Sequence, residues 1–435
     1  MNRMRRGYLL VLALTLVSSS VYAQGLTVEQ AVALALQRNR DVMAAKLDIE
    51  VSQLDVVAAR IYPNPTFEYS IGNLVLGKAN ATTNAISTQP GFAGQTVQSI
   101  SISEVIDVWA KRSARTRAAS RGVDHQRLLT EDVLRDIVHT VRSAFADVVR
   151  EQSERDLAHE VADRYAQTLR LSQARYKVGD ISEAELRKIE LEGLRYQNDV
   201  VEADMELDLA RQKFSALLGF NSPSDLGMGL LVQPDTRPTY DLKGLIAQAL
   251  ERRPDLRAAR AARGQGEAAL GAAQREAYPD ISLGAGYTHS DFTVSGDNPN
   301  TLALSLSMPL PLFDRNQANI GRARLDIRRA ENDVERLRLQ IGHEVIEAVR
   351  KAQRSQTLLE VFEGAPAENR ERSSGMVAKA ETALHVAEKS YQAGALSLLE
   401  LLEAQRTYLD SKAQYLRVLY DFRQAAVDVT YAAGE

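Results

Sequence analysis

Tyr176-Lys177-Val178-Gly179-Asp180-Ile181-Ser182 and Tyr391-Gln392-Ala393-Gly394-Ala395-Leu396-Ser397 stand 215 positions apart and share one pattern, an aromatic, a glycine three residues on, and a serine that opens Ser-x-x-Glu. Each glycine marks a turn, and each box (Ser182 with Glu185, Ser397 with Glu400) caps the start of a helix. One such box is common by chance; two at matching positions after matching glycines point to structure, with no catalytic implication. Working outward, Ala35-Leu36-Gln37-Arg38-Asn39-Arg40-Asp41-Val42 matches Ala249-Leu250-Glu251-Arg252-Arg253-Pro254-Asp255-Leu256 at an offset of 214, and Tyr62-Pro63-Asn64 matches Tyr278-Pro279-Asp280 at 216. The chain is therefore expected to be written twice, as residues 24–219 and 239–435, joined by a linker over 220–238 that holds Pro223, Gly227, Gly229, Pro234 and Pro238. The period is far too long for a solenoid.

Each copy reads helix, strand, strand, long helix, turn, helix, a mainly α fold with a small β part. Thr27 with Gln30 opens a helix expected to run to about Arg60, and its counterpart runs from near Asp241 to about Ala277. Tyr62-Pro63 and Tyr278-Pro279 end them, because proline disfavours the helical region for the residue before it. No proline occurs from Gly91 to Ser222, and Leu134, Val138, Val141, Phe145 and Val148 step by four, three, four and three, the spacing of a coiled-coil seam. If residues 113–176 are all helical they measure roughly 96 Å at about 1.5 Å per residue, so the rod must project or double back.

Four segments between the helices have period two. Phe67, Tyr69 and Ile71 alternate with Thr66, Glu68 and Ser70 in a strand near 64–74; Ile100 and Ile102 alternate with serines near 96–107. Ile281, Leu283 and Tyr287 do so near 280–290, and Leu302, Leu304 and Leu306 near 300–309. Two hairpins packed on helices in a soluble domain explain one apolar face equally well. Two details favour lipid. The opposite face is serine, threonine and glycine, as in a wall that lines water, and an aromatic stands at every strand–helix junction: Tyr62, Trp109, Tyr278 and Phe313. Four strands leave two open edges, and each unpaired backbone group in hydrocarbon costs several kcal/mol. Two chains supply eight strands and three supply twelve, and the arithmetic does not choose.

Residues 1–23, with Arg3, Arg5 and Arg6 before the apolar run Tyr8 to Val17 and Val21-Tyr22-Ala23 at the end, read as a removed export signal. Its loss takes the formal net charge from −4 to −7. The whole chain has 435 residues and no cysteine, which excludes disulfides, thiolate metal sites, a cysteine nucleophile and a lipobox acyl acceptor. An acidic balance without a basic block argues against nucleic acid as a partner.

The stretch Tyr391-Gln392-Ala393-Gly394 followed by Ser397-Leu398-Leu399-Glu400-Leu401-Leu402-Glu403-Ala404-Gln405-Arg406, and Pro309-Leu310-Pro311-Leu312-Phe313-Asp314-Arg315-Asn316-Gln317, resemble the TolC family of outer membrane efflux channels, the second stretch its heavy-metal branch of CzcC-like and CusC-like proteins. The resemblance spans essentially the whole chain after the signal. It implies a homotrimer, with a shared twelve-stranded barrel in outer membrane lipid continued by an α-barrel of long antiparallel coiled-coil hairpins. It also implies a periplasmic adaptor and an inner-membrane proton-driven pump of the resistance-nodulation-division (RND) class as partners, and divalent heavy-metal cations as cargo. An outlet for drugs or secreted proteins fits the same duct, and an exported coiled-coil scaffold without a pore is the rival from another class. The missing N-terminal cysteine departs from relatives that are lipoproteins.

By the same resemblance the helices reverse near 148–156 and again near 360–370, at a tunnel tip where Asp147, Glu151, Glu363 and Glu368 are candidate acids; solvated charges on a coiled-coil exterior are the plainer reading. No enzyme chemistry emerges and no cofactor is implied. His343-Glu344-x-x-Glu347 lacks the second histidine of a helical zinc signature, and Gly264-x-Gly266 lacks the third glycine of a nucleotide loop.

Overall fold

A computed structural model of the chain describes residues 26–73, 96–222, 237–291, 298–364 and 375–435. The export signal, most of the linker at 220–238, most of the two long strand-connecting loops and Glu368 lie outside the described residues. The elements run α1 (Val28–Arg38), α2 (Arg40–Arg60), β1 (Thr66–Gly72), β2 (Val97–Ile106), α3 (Lys111–Lys177), α4 (Glu183–Leu217), α5 (Leu242–Arg252), α6 (Pro254–Glu276), β3 (Ile281–Ser290), β4 (Asn300–Ser307), α7 (Gln317–Glu363), α8 (Met376–Gln392) and α9 (Leu398–Ala432). The fold is mainly helical with one small sheet, as the sequence predicts.

The first helix of each half is broken where the sequence suggests continuity. Asn39 leaves the helical conformation, and its Oδ1 accepts from the backbone N–H of Asp41 at 2.8 Å and of Val42 at 3.3 Å. A short polar side chain that satisfies free N–H groups both stops one helix and starts the next. Its Nδ2 donates to the Leu217 carbonyl at 3.0 Å. In the second half Arg253 takes an extended conformation because Pro254 follows, and Pro254 fits the first helical position.

The reversal expected near 148–156 is absent. Helix α3 is one uninterrupted element of 67 residues that passes straight through that stretch. Nothing there stops it: no glycine or proline occurs between 123 and 178, and Val141, Phe145 and Val148 stay buried. The chain turns instead at Gly179, where φ is +81°, and at Gly394, where φ is +74°. These values belong to the left-handed region that glycine enters without a Cβ penalty.

The second reversal, expected near 360–370, falls largely on residues 365–374, which lie outside the described residues. Glu363, the last residue of α7, meets Tyr415 of α9 at 3.1 Å, whereas Tyr391 near the end of α8 clusters with Leu401 and Tyr408. Rising numbers on α7 and then α8 meet falling numbers on α9, so both run antiparallel to it.

The chain divides into two compact units. The first comprises residues up to Leu47, Leu129–Arg257 and Arg336–Glu435. Its largest core joins Ala31, Ala35 and Val42 to Val141, Phe145 and Val148 of α3 and to Leu207 and Phe214 of α4. Arg253, only 3% exposed, is held between Asp255 at 2.7 Å and Glu344 at 2.5 Å. The glutamate of the incomplete zinc signature thus serves an ion pair.

The second unit comprises Asp48–Leu128 and Ala258–Glu335 and contains the sheet. Its helices lie in the order α2, α3, α6, α7. Thr116 donates to the Ala59 carbonyl at 3.3 Å, His125 meets Gln265 at 3.1 Å, and Asn316 donates to the Ala273 carbonyl at 2.8 Å. Gly264 and Gly266 lie inside α6, where an added Cβ on Gly266 would stand 3.2 Å from Ile327 of α7. Close helix packing explains Gly266 without a nucleotide.

Candidate functional site

The four strands form one antiparallel sheet in the order β1-β2-β3-β4, so β2 pairs with β3 across the two halves of the chain. Directly opposed residues share a face. One row runs Tyr69, Ile100, Tyr287, Leu302, and the next runs Phe67, Ile102, Ala285, Leu304. A further row brings Leu283 and Leu306 beside Glu104, and Ile281 stands opposite Ile106. Ile71, opposite Gln98, completes the face.

Polar groups bound this belt at the other end, where Tyr69 Oη donates to Gln98 at 3.3 Å and His289 meets Asn300 at 2.8 Å. Phe67, Tyr69, Ile100, Ile102, Leu283, Tyr287, Leu302, Leu304 and Leu306 are all exposed, Leu304 at 83%, while Ile71 and Ile281 are half-buried. Along β2 the serine side chains are less exposed than the isoleucines beside them. A sheet packed on a water-soluble core has the reverse pattern.

Small residues make the polar face possible. A Cβ added to Gly284 would come within 2.4 Å of Ser305 Oγ, and one on Gly286 within 3.3 Å of the Ser101 Cβ. Strand β1 is paired only to β2 and β4 only to β3, so the outer edge of each is unpaired in the sheet.

Two of the junction aromatics meet. Trp109 stacks on Tyr278 with ring centroids 4.8 Å apart and donates Nε1–H to the Pro279 carbonyl at 3.0 Å. Tyr62 instead lies under the Arg112 guanidinium at 3.8 Å, and Phe313, 91% exposed, has no ring partner among the described residues.

Both serine caps are formed as reciprocal boxes. Ser182 N–H donates to Glu185 at 2.8 Å and Ser397 N–H to Glu400 at 2.9 Å, while each serine Oγ accepts from the glutamate N–H. Hydrogen bonds from the serines hold both glutamate carboxyls below their ordinary range.

Of the candidate tip acids, Asp147, Glu151 and Glu363 are described, and none stands at the turns of Gly179 and Gly394. Asp147 and Glu151 sit inside α3, about thirty residues from the turn at Gly179. Asp147 accepts from Tyr420 Oη of α9, and Glu151 lies 2.5 Å from Arg150, with burial pushing its carboxyl up. Glu363 pairs with Arg237 and Tyr415. The sequence reading misses Tyr420, the partner of Asp147, and with it Tyr408 and Tyr431, which meet Glu160 and Asp136 in the same way, although their spacing of twelve and eleven along α9 is a visible periodic signal.

Among the described residues no group of three or more histidines and carboxylates is placed to hold a metal ion, and no helix is long and apolar enough to cross a membrane.

A sheet with an exposed apolar belt, a serine-lined opposite face and two unpaired edges defines a subunit of a membrane channel. The sequence profile of the family described as outer membrane efflux protein matches residues 31–220 and 245–435. The chain belongs to that family, and its place is the outer membrane.

The chain is 27% identical over 410 residues to the cobalt-zinc-cadmium resistance protein CzcC of Cupriavidus metallidurans, spanning 94% of this chain and 90% of that protein. Its fold matches the crystal structure of CusC with a TM-score of 0.73 at 20% identity, over 94% of this chain and 92% of that one. The outer membrane protein VceC of Vibrio cholerae matches with a TM-score of 0.71 at 19% identity, over 94% and 96% of the two chains.

Proposed function

We propose that three copies of the chain close a twelve-stranded barrel in outer membrane lipid. This barrel is the passive exit of a tripartite system fed by a periplasmic adaptor and an inner-membrane RND pump, and its cargo is divalent heavy-metal cations. The observation that carries the reading is the sheet: an apolar face turned outward and two edges left open in a chain of the outer membrane. Open edges in hydrocarbon cost several kcal/mol per unpaired group, and only closure with identical sheets removes them without another protein. Residues 1–23 supply export, and the two halves each contribute two strands and one long helical hairpin.

The cargo class follows CzcC, a relative whose similarity extends over nearly the full length of both chains. A duct needs no metal site of its own, because selection of the ion falls to the pump. Deletion of the gene tests this. The strain should become sensitive to cobalt, zinc and cadmium while tolerance of dyes and detergents is unchanged, and the plasmid-borne gene should restore resistance. Sensitivity to dyes and detergents alone would assign the duct to another pump.

A further inference from the structure

The polar face of the sheet is built from hydroxyls, glycines and a few small apolar residues, and among its described residues it carries a single charged side chain, Glu68. The row that contains it runs Glu68, Ser101, Gly286, Ala303, so none of its neighbours across the sheet can neutralise it. Glu68 is exposed and has no hydrogen-bond or ion-pair partner among the described residues. Glu68 stands on edge strand β1, and the strand that flanks β1 in a closed barrel is β4. The same face of β4 holds Thr301, Ala303, Ser305 and Ser307. No register of closure therefore brings a strand cation beside Glu68.

We propose that Glu68 sets the charge selectivity of the barrel lumen and favours cations over anions. The proposal rests on the trimeric barrel above. Twelve strands about 4.8 Å apart and tilted by about 40° give a backbone radius of about 12 Å. Three carboxylates at one level then lie about one Debye length from the axis at physiological salt. Fixed charges at that distance bias permeation without trapping the ion, a preference of about three- to fivefold for the cation. A neutral serine wall would show none. A duct for metal cations gains from such a bias because it also repels returning anions.

Purified wild-type protein and Glu68→Gln are compared in planar bilayers under a KCl gradient, and the reversal potential gives the ratio of potassium to chloride permeability. The ratio should fall about threefold in Glu68→Gln and further in Glu68→Lys, with Glu68→Asp close to wild type. Single-channel conductance at high salt, where the charge is screened, should be the same in all four. A conducting Glu68→Gln with the wild-type ratio overturns the assignment. If Glu68→Gln does not insert, Ser70→Glu, on the same face, must raise the ratio, and no rise overturns it equally. Wild-type protein that never conducts is a different failure, since it removes the barrel itself and the selectivity with it.

Discussion

Tyr431 Oη donates a hydrogen bond to Asp136 Oδ1 at 2.7 Å while the guanidinium of Arg135 lies 4.4 Å over the tyrosine ring. The same three-part contact recurs along the α3–α9 pair. Tyr420 donates to Asp147 with Arg150 at 4.9 Å over its ring, and Tyr408 donates to Glu160 at 3.3 Å with Arg164 at 5.4 Å. At Asp147 and Glu160 the phenol satisfies a half-buried acid, whereas Asp136 is exposed, and in each contact the ring covers an arginine. Tyrosine suits the position because it carries an apolar body and a polar tip.

Replacing Tyr420 by phenylalanine keeps the ring and removes the donor, leaving Asp147 half-buried without that partner. The expected cost is about 1–2 kcal/mol, at the lower end for a buried acceptor because the site is partly wet. Thermal unfolding in detergent measures it. Adding Asp147→Asn to the variant should cost little more, since the two changes remove one interaction; fully additive losses would show that the pair does not act as a unit.

Burial and the neighbouring Asp136 carboxylate push the Tyr431 phenol up to about 12. An unperturbed phenol titrates near about 10. The folded chain thus holds this proton more tightly than the unfolded one. The stabilisation it gives is complete below about pH 10 and is lost as pH rises toward about 12. Wild-type stability should fall more steeply over that window than that of Tyr431→Phe, and equal slopes would refute the linkage.

Arg253 is the buried counter-ion of two carboxylates. Burial alone would raise the Asp255 carboxyl, but hydrogen bonds and charge from Arg253 hold it below its ordinary value. Arg253→Leu should therefore destabilise the chain by about 3–5 kcal/mol, as expected when one partner of a buried pair is removed, and lower the yield of folded protein. The sign on the acid side is the reverse of the tyrosine case. Stability from Asp255 is present above the usual carboxylate range and fades as pH falls through its depressed value. Asp255→Asn should flatten the acid-unfolding profile, measured by circular dichroism.

Much of this was legible from residues alone. Period-two patterns locate all four strands, because one face of a strand answers to a single environment. The turns at Gly179 and Gly394 are legible because a left-handed residue followed by a cap leaves a local signature. The break at Asn39 is not, since asparagine inside a helix and asparagine ending one look alike until Leu217 arrives to bind it. Nor are the tyrosine contacts, whose partners lie hundreds of positions away in the chain. The misplaced reversal near 148–156 came from the family resemblance, against a sequence in which nothing interrupts α3.

Four glycines with positive φ separate backbone strain from crowding. At Gly179 and Gly394 an added Cβ meets nothing within 4 Å, so alanine should cost only the left-handed conformation, about 1–2 kcal/mol. At Gly219 the Cβ would stand 2.9 Å from the Arg38 carbonyl oxygen, and at Gly434 it would stand 3.2 Å from the Arg253 backbone nitrogen. Alanine at Gly219 should thus lose clearly more than alanine at Gly179 in matched thermal melts. Equal losses would mean that the α1–α2 junction yields to the intruding methyl.

The two faces of the sheet should respond in opposite ways to the same charge. Leu304 stands in a central row of the apolar belt and is 83% exposed, with Ala285 opposite it and Ile102 and Phe67 further along the same row. A lysine there must be carried into hydrocarbon at a cost of about 2–4 kcal/mol per chain near the bilayer midplane. Closure of three copies incurs that cost three times. Ser70→Lys, on the face lined by Ser99 and Thr288, places the same ammonium in water and should leave assembly intact. The measurement is the amount of each variant recovered from the outer membrane fraction after equal expression. Leu304→Lys should be depleted severalfold and Ser70→Lys close to wild type. A soluble hairpin domain predicts neither loss, because an exposed leucine facing water accepts lysine freely.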